Sequence, residues 1–157
     1  MKPEPSYEEF LQQWSESYTS KNYDSSLAGY LLNKSHEWSE MEFDTNDKFD
    51  KVLEVGAGTS IHLNSVRHQF EEYWVTDLNL PMLDMIDGKY TRDDKKIITQ
   101  QEDATSLSFS DNSFDRLIAA HVLEHIYRPH EVLREWARVV RPGGIITLVL
   151  PCDPGVA

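Results

Sequence analysis

The stretch VLEVGAGTS (52–60) constrains the architecture of this chain more than any other segment. Val52 to Val55 read as a buried strand. Gly56 and Gly58 supply a tight turn where a Cβ would obstruct close approach, and a helix is expected to open near Thr59. Asp77 stands 21 residues beyond Gly56, at the end of the next apolar run. A strand, a glycine turn, a helix N-terminus and a distant carboxylate together make a nucleoside-binding half-site. The free N–H groups of a helix start suit an anionic group. The carboxylate can accept hydrogen bonds from both hydroxyls of a ribose.

A dinucleotide fingerprint needs Gly or Ala at the sixth position of its glycine motif. Ile61 occupies that position and argues against NAD or FAD. A P-loop would need Gly-Lys-Ser/Thr, which is absent. The pattern resembles motif I of the class I S-adenosylmethionine (SAM)-dependent methyltransferases, an acidic residue followed by Gly-x-Gly-x-Gly. Glu54, Gly56 and Gly58 match it, and Ser60 stands at the third glycine. QQEDATSLSF (100–109) resembles the end of the family's third strand. FDRLIAAHVLEHI (114–126) resembles strand four with its loop, and VVRPGGIITLVLP (139–151) the approach to strand five. Taken together the motifs are most similar to small-molecule methyltransferases that include the quinone-biosynthesis enzymes.

The resemblance implies SAM as cofactor and a set of contacts to it. Glu54 would lie near the methionine ammonium, with Gly56, Ala57 and Gly58 facing the methionine part. Asp77 would take the ribose, Leu78 the adenine face, and Asp103 with Ala104 the adenine amino edge. His121, after strand four, would meet the methionine part. The implied fold is α/β, a Rossmann-like doubly wound parallel sheet, with N-terminal helices. The family's seven strands run 3-2-1-4-5-7-6, and sequence for five is present, in expected order 3-2-1-4-5. The last two strands of the usual seven are therefore expected to be missing, and IITLVL (145–150) to lie at a sheet edge. An apolar, uncharged edge invites pairing, so the chain is expected either to be part of a longer protein or to form a homo-oligomer through strand five.

Local patterning gives the rest of the layout. Ser6 with Glu9 forms a capping box for a helix over 6–18, and a second helix is expected over about 25–41. Their aromatic stripes either pack on the sheet or form a lid over the ligand. Residues 1–50 thus read as an N-terminal helical cap and 51–157 as the SAM-binding core. Expected strands are 51–55, 72–76, 96–100, 114–119 and 144–150, with helices at about 59–69, 80–87 and 129–140. Gly143 and Gly144 suit a helix stop and turn.

Fifteen basic against 27 acidic residues give a net charge of −12. That disfavours nucleic acid or an anionic membrane as a partner, because phosphates require local Lys and Arg. The single cysteine, Cys152, fits a reducing compartment. No apolar run approaches 18 residues and no charged-then-apolar leader opens the chain, so the expected location is the cytoplasm.

The expected reaction is methyl transfer from SAM to a small-molecule acceptor. The alternatives are a SAM- or nucleoside-binding module without turnover, or a subunit of a larger assembly, and a nicotinamide dehydrogenase. His125 and His121 are candidate general bases, needed only where the nucleophile must lose a proton. Their spacing of four would place both on one side of a helical turn. His62, His121, His125 and His36 are expected to gather, either as a base or as structural histidines at the cleft rim. No third clear ligand accompanies them, so no metal is expected. His68 and His130 read as surface residues.

Overall fold

The computed structural model describes residues 27–86 and 96–151. The helix expected over 6–18 lies outside them, as does Cys152. Helix α1 spans Leu27–Ser39, followed by strand β1 at Lys48–Val55. Then come β2 (Gln69–Asp77), α2 (Leu80–Asp84), β3 (Lys96–Gln101), β4 (Phe114–Ala120), α3 (Pro129–Val139) and β5 (Val140–Val149). All neighbouring strands are parallel, in the order β3-β2-β1-β4-β5. That is the doubly wound order expected, with its reversal between β1 and β4, where ligands bind in open α/β sheets.

Alternation along the strands supplies two cores. Leu53, Val55, Leu117 and Ala119 face α3, where Val132, Trp136 and Val139 fall at helical spacing. Pro129 opens that helix at a position that needs no N–H donor. Val52, Tyr73, Val75 and Ile118 face the other way, onto Leu63, Val66, Leu83 and Ile86. At the N-terminal ends of the strands the surface is a set of ion pairs, Lys48–Glu71, Lys51–Glu72 and Lys96–Glu72.

Three local expectations change. The helix expected over 59–69 is a single 3-10 turn at Ile61–Asn64. Ser60, which would lie in its first turn, is left-handed (φ 53°, ψ 44°), and Thr59, Ile61, Asn64, Ser65 and Val66 are weak helix formers. Gly143 and Gly144 do not end a helix. Strand β5 begins at Val140, directly after α3, and both glycines sit where its register against β4 jumps from Phe114–Val140 to Arg116–Ile145. A Cβ on Gly144 would stand 2.6 Å from the Asp115 carbonyl oxygen, so the close strand approach there needs glycine. His68 is buried, against expectation, within the aromatic rings of Phe43, Phe49 and Phe70.

Candidate functional site

The C-terminal ends of β1, β2 and β4 bring most of the expected residues to one edge of the sheet. Gly56 and Gly58 both have positive φ (60° and 54°). A Cβ on Gly56 would lie 2.6 Å from Cγ2 of Val122, so the turn passes hard against the loop after β4. The Ala57 N–H donates to the Thr76 carbonyl at 3.0 Å, and the Thr76 hydroxyl donates to the Glu54 carbonyl at 2.8 Å. These bonds tie the glycine turn to the end of β2.

Asp77 closes the same loop from the other side. Its Oδ2 accepts the Gly58 N–H at 2.8 Å and its Oδ1 accepts the Asn79 N–H at 2.8 Å. Each oxygen keeps a second lone pair for an incoming hydroxyl. Leu78, next along, is 66% exposed, and Ile61, Leu80 and Met85 on the neighbouring segments are exposed as well. Asp103 follows β3, and its Oδ1 accepts both the N–H and the hydroxyl of Thr105. It therefore caps its own turn, while the Ala104 carbonyl accepts the Trp136 indole N–H at 2.9 Å.

Glu54 is buried beneath the turn. Its Oε2 accepts the Ser60 hydroxyl at 2.8 Å and the Tyr73 hydroxyl at 2.9 Å. Burial pushes this carboxyl up, against His62 and the two hydroxyls, which favour its charged form.

Three of the four histidines expected to gather do so. His36 Nδ1 and His62 Nδ1 are 3.0 Å apart, and the His36 and His121 rings stand edge to face at 5.5 Å. His121 Nε2 meets the Ser35 hydroxyl at 2.9 Å, while its Nδ1 is buried with no hydrogen bond. Burial, with His125 and His62, pushes His121 below the usual histidine range, against the pull of Glu124. His125 stands apart on the exposed 3-10 turn Leu123–His125, and His121 precedes that turn with φ 58°. The two histidines expected on one side of a helical turn therefore sit in different surroundings. His130 is exposed. Among the described residues no three potential ligands converge as a metal site.

The sequence reading missed the buried charges beneath these rings. Arg116 of β4 and Glu40, just past α1, are both fully buried. Glu40 accepts Arg116 through both oxygens, with Nη1 at 3.0 Å from Oε2, and also accepts His62 Nε2–H at 2.9 Å. Burial would raise the Glu40 carboxyl, but the hydrogen bonds from His62 and Arg116 outweigh it and hold it at about 2. The Arg116 guanidinium also donates to Thr147 Oγ1 and lies 4.1 Å from the centre of the Phe43 ring. A lone arginine in the apolar run FDRLIAA was the available signal, because a buried cation needs a buried anion.

Comparison with known proteins agrees with this geometry. The methyltransferase domain family matches residues 53–148. The chain belongs to the class I SAM-dependent methyltransferases. Among its relatives, a demethylmenaquinone methyltransferase of Paenarthrobacter aurescens is 31% identical over 119 residues, covering 74% of this chain and 46% of that protein. The chain thus spans less than half the length of that relative. The [4+2]-cyclase SpnF superposes with a TM-score of 0.65 at 20% identity, over 93% of this chain and 60% of that one. The trans-methyltransferase CalH, solved in complex with SAH, superposes at 0.59 and 20% identity, over 78% and 40%. Likeness at this identity shows the fold alone. Among the described residues no helix is long and apolar enough to cross a membrane.

Proposed function

We propose that this methyltransferase domain binds SAM at the C-terminal ends of β1, β2 and β4 and transfers its methyl group to a small-molecule acceptor in the cytoplasm. The observation that carries the reading is the loop closed by Asp77 on the Gly58 N–H, with Gly56 pressed against Val122. A side chain at Gly56 would fill the space that the backbone uses, and the Asp77 carboxylate keeps lone pairs for both ribose hydroxyls. The exposed Leu78 offers an apolar face to adenine. Asp103, whose Oδ1 is engaged with Thr105, would meet the adenine amino group through its other oxygen. Glu54 would supply a buried acid under the methionine part, and His121, at the end of β4, would meet that part too.

Bound SAM would supply an electrophilic methyl group on a sulfonium, leaving as a neutral thioether. The chain's part is to hold donor and acceptor in line and to keep water out. We assign the segment ahead of β1 the role of a cap, on the support of α1, which lies against the Ile61–Asn64 turn and β5; Lys48–Asp50, counted with the cap in the sequence reading, belong to strand β1. The relative's name supports a quinol-type acceptor. The test is product formation from SAM with a panel of small acceptors that includes a demethylated naphthoquinol. Methylated product supports the reading. Saturable SAM binding with no product from any acceptor would favour a binding module without turnover.

A further inference from the structure

The buried cluster under α1 sets the tautomer of one ring at the site. The Glu40 carboxylate only accepts, and Arg116 only donates. His62 Nε2, at 2.9 Å from Glu40 Oε1, must therefore carry a proton. Only one proton fits between His62 Nδ1 and His36 Nδ1 at 3.0 Å. Arg116 already balances the Glu40 charge, and a second cation on His62 would face only Glu54, whose carboxyl burial pushes toward its neutral form. The shared proton then belongs to His36 Nδ1, and His62 Nδ1 accepts it. His36 is left with a lone pair on Nε2.

That nitrogen has no hydrogen-bond partner among the described residues. Its ring is half-buried and stands against His121, whose strained left-handed backbone marks the end of β4. Helix α1 thereby brings an acceptor-only nitrogen to the place where the glycine turn and the loop after β4 meet. Burial is the largest cause that pushes His36 down to about 4, so it is neutral near pH 7.

We propose that His36 Nε2 receives the proton of the methyl acceptor, and that His62 and Glu40 are positioning residues that fix its tautomer. The proposal rests on the methyltransferase reading and narrows the acceptor to a protic nucleophile, with an O–H, N–H or activated C–H. In the step, an electron pair on X would form the X–C bond as the donor's S–C bond breaks with its electrons on the departing thioether sulfur, and the X–H electrons would stay on X and cancel the positive charge it acquires. The proton forms an N–H bond at Nε2 and is later released to water. A weak base serves here, because X–H becomes strongly acidic as the new bond forms.

The first test is nitrogen-15 NMR of the histidine rings of the whole chain at pH 7. Protonated Nδ1 with bare Nε2 on His36, and protonated Nε2 on His62, are expected. A protonated His36 Nε2 overturns the proposal without any activity measurement. The second test is turnover with SAM and 1,4-naphthohydroquinone. His36→Gln should lower kcat about 10²–10⁴-fold with SAM affinity within about twofold of wild type. His62→Leu should let His36 carry its proton on Nε2 in the nitrogen-15 spectrum, because the acceptor that holds it on Nδ1 is gone, and an unchanged His36 tautomer overturns the positioning role. The titratable and charged groups around His36 are His62, His121, Glu40, Glu54, Arg116 and Glu124. Turnover of His36→Gln within threefold of wild type, or loss of its SAM affinity, overturns the role. Absence of SAM binding by wild type is a separate result and overturns the methyltransferase reading.

Discussion

At the scale of single residues, Ser60 shows how this site departs from its family's glycine pattern. Its left-handed backbone costs about 1–2 kcal/mol for a residue with a Cβ. Its hydroxyl returns part of that by donating to the buried Glu54. Ser60→Ala should therefore lower stability by about 1–3 kcal/mol, because a buried carboxylate loses a donor while the backbone strain stays. Denaturant unfolding checks this, and an unchanged midpoint would show that the hydroxyl contributes little. Glu54, the glycines and Asp77 were legible because each is a residue type required at a fixed spacing. His68 was not, since Phe43, Phe49 and Phe70 reach it from three different segments. The adenine-edge reading of Asp103 stands beside a turn-capping role that local sequence also suits, through Thr105 two residues on.

At the scale of elements, strands were read well and short helices poorly. Apolar runs mark buried parallel strands, as in the ends of β1 and β4, while β3, KIITQQ, is half-buried at the sheet edge and was marked only by Ile97 and Ile98. The 3-10 turn after β1 was hidden because it depends on Ser60 and His62 being drawn to Glu54 and Glu40 on other elements. The same dependence docks α1. Glu40 and Arg116 join the end of that helix to β4 across 76 positions of sequence. Arg116→Met alone should cost about 3–5 kcal/mol, leaving Glu40 buried and unpaired. Adding Glu40→Gln should recover part of that, and a thermal-melt double-mutant cycle measures the coupling. Strictly additive losses would contradict the pairing. Strand β5 lies at the end of the sheet with Ile145 and Leu148 partly bare, and Leu150 just past it is exposed as well. Concentration-dependent association in sedimentation, reduced by Ile145→Lys, is expected of such an edge. A monomer at all concentrations would remove that expectation.

At the scale of the whole molecule, the buried histidines make stability depend on pH with a defined sign. Burial depresses His36 to about 4 and lowers His68 and His121 as well, so all three favour the neutral form in the folded state. Each is protonated more readily when unfolded, so unfolding takes up protons and stability falls as pH drops below about 6.5. Glu40 adds the same sign only at lower pH, below its ordinary 4.5. Glu54 has the opposite sign, because its raised value makes its contribution fade as pH rises. The melting temperature should therefore be lower at pH 5 than at pH 7, and His36→Gln should flatten the slope. A higher melting temperature at pH 5 would contradict the burial of these rings. The most direct test is calorimetric titration of the whole chain with SAM and, separately, with NAD. The expected result is saturable SAM binding at about −7 to −9 kcal/mol, weakened by about 1.5–3 kcal/mol in Asp77→Ala, with no heat from NAD. Saturable NAD binding without SAM binding would contradict it.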